Sequence, residues 1–351
     1  MHYFKIRMIV NNHSNFYLDY NFFMSKKIKA RQIKVKKSKG SKPDPNVLNA
    51  NDFTSSQVSN NIISENKIEK DVAENKKLNK SELNSVKKLI KEIKKLNRPH
   101  KASSVSSCNL NENEIIKLAN VEKYATNGYQ FTHILKGIDL TIYKGEFVVI
   151  IGPSGSGKTT LLTILSALDR PSKGDCFMFD KNTITLNQSE LTKMRANHVG
   201  YIFQQYGLLQ NLSVEDNVKI AANITKDAKA KKLDLDTLLK SVGLYELKKR
   251  QASNLSGGQA QRVAICRALI KNPDILFGDE PTGAVHINAT KEIMNIFLKI
   301  NKTFKTTIII VTHNNAITQL ADRIIKIESG KITQNFKNPN RKTVEEIDWA
   351  L

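Results

Sequence analysis

Two stretches of this sequence carry side-chain types and spacings suited to phosphate chemistry. The first, Gly152-Pro153-Ser154-Gly155-Ser156-Gly157-Lys158-Thr159, fits the pattern G-x-x-x-x-G-K-[ST] at every fixed position. The second, about a hundred residues later, is Leu255-Ser256-Gly257-Gly258-Gln259. Phe147 to Ile151, apolar and rich in β-branched residues, reads as a strand buried on both faces, and Thr160 to Leu165 reads as a helix start. A strand, a glycine-rich turn and a helix aim several backbone N–H groups at one anion, and the helix N-terminus adds partial positive charge. In that frame Lys158 reaches the β- and γ-phosphates and the Thr159 hydroxyl ligates Mg²⁺.

Three further strand-like runs deliver the groups such a loop needs. Ile275-Leu276-Phe277 ends in Gly278-Asp279-Glu280. Asp279 can hold Mg²⁺ through water, as hard cations prefer oxygen ligands, and the adjacent Glu280 can orient or deprotonate an attacking water. Thr306 to Val311 delivers Thr312-His313. Alone, a histidine there would read as structural; at the end of a parallel strand in a phosphate-binding sheet, His313 reads as a γ-phosphate contact. Gln204 follows Val199 to Phe203, where a neutral amide can touch both Mg²⁺ and the water.

Together these residues resemble the ATP-binding subunits of ABC transporters over roughly Ile115 to Lys331. The resemblance implies an α/β P-loop NTPase fold with a helical subdomain inserted at about 205–256. ATP and Mg²⁺ would be the ligands, with Gly152 to Thr160 as the Walker A loop and Tyr124 stacking on adenine. Gln204 would be the Q-loop residue, Asp279 and Glu280 the Walker B acid and catalytic base, and His313 the switch histidine. Ser256, Gly257, Gly258 and Gln259 would touch the γ-phosphate held by a second protomer. Shorter runs, Leu168 to Gly174, Tyr201 to Leu209 and Glu280-Pro281-Thr282-Gly283-Ala284, look like the lipoprotein-releasing and macrolide-export group, which includes a cell-division ATPase. The tail Glu345 to Trp349 is a weaker echo of it. The sequence departs from the family at Ala284-Val285-His286, where Ala-Leu-Asp is usual. That aspartate helps to join two protomers and to position water, so His286 bears on turnover and closure, not on nucleotide binding.

The resemblance also implies partners: a homodimer, or pairing with a second ABC ATPase subunit, around two ATP, and an integral membrane permease on a separate chain. The cargo class would be lipoprotein, peptide or drug; the alternative is a mechanical ATPase of the cell-division type that transports nothing. No apolar run approaches the roughly 18–20 residues that cross a bilayer, and Met1 to Met24 is a poor secretory signal. The expected location is cytoplasmic, peripheral on the inner membrane face through the permease. Cys108, Cys176 and Cys266 have neither metal-ligand nor redox spacing, in keeping with a reduced compartment.

The net charge of +22 is uneven, with 13 of it before Glu114. Residues 1–112 form a basic extension rich in Lys, Asn and Ser, expected to be largely disordered because it cannot bury enough apolar surface to offset ordering. Within it Leu83, Val86, Leu89, Ile90, Ile93 and Leu96 recur at helical spacing between lysines, predicting a basic amphipathic helix over 81–96. Such a helix suits an anionic membrane face or a partner; packing on the core is the alternative. Nucleic acid is disfavoured, because the basic run has few arginines and no interleaved aromatics. The ATPase domain is expected over 113–340, with 341–351 as a tail.

Overall fold

The computed structural model describes residues 6–11, 15–20, 88, 91, 110–126, 131–224, 232–283 and 285–349. The chain divides into two units, Met1–Asp71 and Val72–Leu351. In the first, β1 (Ile6–Asn11) pairs antiparallel with β2 (Asn15–Tyr20), from Ile6↔Tyr20 to Asn11↔Asn15. Leu110 to Glu112, at its end, are described too, with Leu110 N donating to Asp180 Oδ1 at 3.0 Å; most of the expected disordered extension lies outside the described residues. So does most of the helix expected over 81–96, of which Lys88 and Lys91 are described, both helical and exposed.

The second unit is built around a six-stranded sheet. Its middle strands are β5 (Phe147–Ile151), β9 (Ile275–Asp279) and β10 (Thr307–Val311), and β9 and β10 are buried along their whole length. Continuous apolar runs form such strands because a parallel sheet is covered on both faces. With β8 (Val199–Ile202), β11 (Arg323–Glu328) and β12 (Lys331–Lys337), the order is β12-β11-β5-β10-β9-β8, parallel except for β12. The edge strand β12 is largely exposed and carries lysine at both ends, which discourages further strand pairing.

Alternate residues feed two cores. Phe147, Val149, Leu276, Ile308 and Ile310 face one cluster, shared with helices α5 (Gly257–Leu269) and α6 (Ile287–Phe304). Val148, Ile150, Ile275, Phe277, Ile309 and Val311 face the other, shared with α1 (Lys158–Leu165) and a four-stranded antiparallel sheet. That second sheet runs β4 (Phe131–Tyr143), β3 (Glu114–Thr126), β6 (Lys173–Met178), β7 (Lys181–Asn182). Each fully buried Ile, Val or Phe here contributes about 1.5–3 kcal/mol.

Helix α2 (Gln188–His198) precedes β8, with Asn187 and Glu190 in a reciprocal capping box. Between β8 and α5 lie α3 (Val214–Ile224), α4 (Leu235–Ser241) and two short 3-10 turns at Tyr245–Leu247 and Ala252–Asn254. The tail is docked. Val344, Ile347 and Trp349 are buried in the α6-side core, and Trp349 Nε1 donates to the Val344 carbonyl at 2.9 Å. Lys342 N donates to Gln319 O at 2.9 Å, and Asn295 Nδ2 of α6 donates to Glu345 Oε1 at 3.2 Å.

Candidate functional site

The glycine-rich loop leaves β5 at the centre of the sheet. A Cβ on Gly152 would stand 2.1 Å from the Ile327 carbonyl, so no other residue fits there. Gly157 takes φ +101° and opens α1 without any side-chain cap, leaving the first N–H groups of the helix to other acceptors. Pro153, Ser154 and Gly155 are exposed, whereas Ser156 is buried and its Oγ has no hydrogen-bond partner. Lys158 is buried, with Nζ donating to the carbonyls of Gly152 and Pro153, both at 2.8 Å. Burial lowers its pKa, while the Glu280 and Asp279 carboxylates act in the other direction. Thr160 lies on the first turn of α1.

The ends of β8, β9 and β10 bring four more of the expected residues together. Thr159 Oγ1 donates to Asp279 Oδ1 at 3.1 Å. Asp279 is pushed up to about 6, chiefly by burial, against the Thr159 hydrogen bond and the Lys158 charge. Glu280 sits at φ +47°, a left-handed conformation uncommon outside glycine, with its N–H on Val311 O at 2.9 Å. Gln204 Nε2 donates to Glu280 Oε2 at 3.1 Å, and His313 Nδ1 lies 3.3 Å from Glu280 Oε1. The second carboxylate is thus held from both sides by strand-end residues far apart in sequence.

Ser256 to Gln259 stand apart from this centre. Ser256 caps α5: its Oγ accepts from Gln259 N at 3.3 Å, and Gln259 Oε1 accepts from Ser256 N at 3.0 Å. A Cβ on Gly258 would stand 3.1 Å from Ala289 Cβ, so the start of α5 packs beside the start of α6. Among the described residues no hydrogen bond joins Ser256–Gln259 to the glycine-rich loop of the same chain.

Tyr124, the residue expected to stack on adenine, lies on β3 among close partners. It is only 9% exposed, its ring stacks on His133 at 4.3 Å, and its hydroxyl is engaged by Glu122 and Lys173. Burial and the Glu122 carboxylate raise its pKa. Sequence reasoning missed this Glu122–His133–Lys173 cluster, whose only signal was the cross-strand pairing of β3 with β4 and β6.

A glycine-rich loop after the central parallel strand, an uncapped helix behind it and a carboxylate pair on a neighbouring strand define a P-loop cassette. The family model described as ABC transporter matches residues 135–283. The MG065 homolog of Mycoplasma pneumoniae, assigned as an ABC transporter ATP-binding protein, is 49% identical over 74% of this chain and 55% of its own length. The chain therefore spans little more than half of that relative. The macrolide export ATP-binding/permease protein MacB of Haemophilus ducreyi is 41% identical over 64% of this chain and 32% of its own. The bacitracin export ATP-binding protein BceA of Halalkalibacterium halodurans is 37% identical over 62% of this chain and 87% of its own. Among solved structures, the dimeric ATP-binding cassette MJ0796 in a post-hydrolysis state with ADP and Pi superposes with TM-score 0.59 at 35% identity, over 64% of this chain and 98% of that one. The chain belongs to the ABC transporter ATP-binding proteins.

Proposed function

We propose that this chain binds and hydrolyses ATP as one half of a head-to-tail pair, with a copy of itself or a second ABC ATPase subunit, and drives a membrane permease carried on another polypeptide. The cassette would span 113–340, its helical part 205–256, with the pair on the cytoplasmic face of the membrane. The observation that carries the reading is Glu280 held between Gln204 and His313, beside the Thr159–Asp279 pair.

Lys158, the unpartnered Ser156 hydroxyl and the free N–H groups at the start of α1 would hold the β- and γ-phosphates. Thr159, Gln204 and Asp279 offer hard oxygen donors that fit Mg²⁺. Among the described residues no group of three or more His, Cys, Asp or Glu side chains could hold a metal ion by itself. Bound there, Mg²⁺ would neutralise charge developing on the phosphates. Glu280 takes a proton from water as its oxygen attacks the γ-phosphorus; the bond to the β-phosphate oxygen breaks, giving ADP and phosphate. Gln204 and His313 fix the Glu280 carboxylate for that transfer, and His313 also faces the γ-phosphate. Ser256, Gly257, Gly258 and Gln259 of the other subunit would close over the same phosphate, so its loss releases the pair.

The names of MacB and BceA favour export over purely mechanical work, with lipoprotein, peptide or drug as the cargo class. No described helix is long and apolar enough to cross a membrane. The test is light scattering with ATP and Mg²⁺. Glu280→Gln protein should accumulate as a dimer and hydrolyse ATP slower than wild type by about 10²–10⁴-fold. Rapid hydrolysis by that variant overturns the assignment.

A further inference from the structure

Helix α5 begins at the exposed Ser256 cap and carries Arg267 near its far end, about 16 Å along the axis. The Arg267 guanidinium reaches out of the helix to the turn after β8. Nη2 donates to the Tyr206 carbonyl at 2.7 Å, and Nη1 donates to the Gly207 carbonyl. Those two residues are consecutive left-handed positions, φ +51° and +60°. For tyrosine this conformation crowds Cβ against a carbonyl, so it persists only where surroundings impose it. A planar fork with two parallel donors suits two adjacent carbonyls; a lysine ammonium lacks that fixed fork. Gln204, whose amide donates to Glu280 Oε2, stands two residues before the clamped pair. Between its ends α5 is anchored in the core by buried Ala260, Val263, Ala264 and Ile265.

We propose that Arg267 is a positioning residue. It ties the Gln204 turn to the helix whose first turn meets the other subunit's nucleotide, so closure at one ATP sets Gln204 and Glu280 at the other. This rests on the proposed function, and the sequence motifs do not contain it.

The experiment is a double-mutant cycle on full-length protein, measuring ATP turnover and ATP affinity. Arg267→Gln should lower kcat by roughly 3- to 30-fold, the range for residues that modulate coupling without touching ligand. KM should stay within about twofold, because the glycine-rich loop is untouched. In a Gln204→Ala background the same substitution should cost nothing further. Arg267→Lys should fall between. Gly207→Ala, whose Cβ would stand 3.3 Å from Arg267 Nη2, should repeat the kcat loss if Arg267→Gln folds poorly. Losses that multiply in the double variant, or a KM rise equal to the kcat loss, overturn the inference and leave the ATPase assignment standing. Absence of ATP turnover in the wild-type chain would instead sink the assignment.

Discussion

Two helix starts in this molecule are built in opposite ways. Helix α1 opens at Gly157, with no capping side chain and with Ser156 Oγ buried and unpartnered beside it. Helix α5 opens at Ser256, whose hydroxyl and the Gln259 side chain satisfy one another's backbone N–H groups in a closed reciprocal box. The first leaves donors free for an anion, at a cost in local stability. The second is exposed and already has two of its N–H groups, those of Ser256 and Gln259, satisfied internally, so the Gly257 and Gly258 N–H groups and the Ser256 O–H are what it can offer a phosphate. One end is preorganised; the other is recruited.

The largest effect should come from breaking the preorganised end. Lys158 bridges the loop through the Gly152 and Pro153 carbonyls, and Lys158→Ala removes that ammonium. Turnover should fall by about 10²–10³-fold, the usual loss for a donor aimed at developing charge. The melting temperature should hardly move, since Lys158 pays a desolvation penalty when folded. A large loss of stability with little loss of turnover would mean that the loop is structural.

Asp279 shows the same trade in pH form. Its carboxyl keeps its proton up to about pH 6 in the fold, against 3.8 as its ordinary value, because burial outweighs the Thr159 and Lys158 contacts. Between those values the folded state binds more protons than the unfolded chain, so stability declines as pH rises from about 4 to about 6. The deficit above pH 6 is on the order of 3 kcal/mol as an upper bound. Asp279→Asn should therefore raise the melting temperature at pH 7, flatten that pH window and abolish turnover. An unchanged pH dependence of unfolding would show that the burial is not felt.

The recruited end predicts a smaller effect that separates its two duties. Ser256→Ala removes a cap and should cost about 1 kcal/mol. Asn187→Ala, at the equivalent box of α2, should cost a similar amount and leave turnover alone. Ser256→Asp keeps a good cap, so stability should hold, yet it sets a negative charge where the other subunit's phosphate would lie. Turnover should then fall while the melting curve does not. Equal turnover in Ser256→Asp and wild type would break the comparison between the two ends.

The difference between the ends was only partly readable in the chain. β5, β9 and β10 stood out because strands buried on both faces are unbroken apolar runs, and Lys158, Asp279, Glu280 and His313 follow them directly. The antiparallel sheet gave no such run, since its pairing shifts register between Leu118 and Val121 and again between Lys123 and Tyr124. A one-residue shift sends a strand side chain to the other face, so Tyr124 could be named but not aimed. Arg267 was invisible for another reason: its partners are backbone carbonyls about sixty residues away, and carbonyls carry no sequence identity. The docked tail likewise needs Gln319 and Asn295, which only the fold brings to Lys342 and Glu345.

The smallest predicted effect concerns a third helix start, which is neither open nor satisfied. His286 is the N-cap of α6, extended at φ −67° and ψ 160°, with no side-chain capping hydrogen bond and no acid in the first turn. An aspartate there could accept from the free N–H groups and complement the helix dipole. His286→Asp should therefore stabilise the fold by about 0.5–1 kcal/mol, read as a rise of a few degrees in melting temperature. Because α6 starts beside Gly258, the same substitution also tests the recruited end. Steady-state turnover should stay within about threefold of wild type if that end depends mainly on Ser256 to Gln259. A rise of tenfold or more would mean that His286 throttles closure, and the contrast would then lie in α6 as much as in α5.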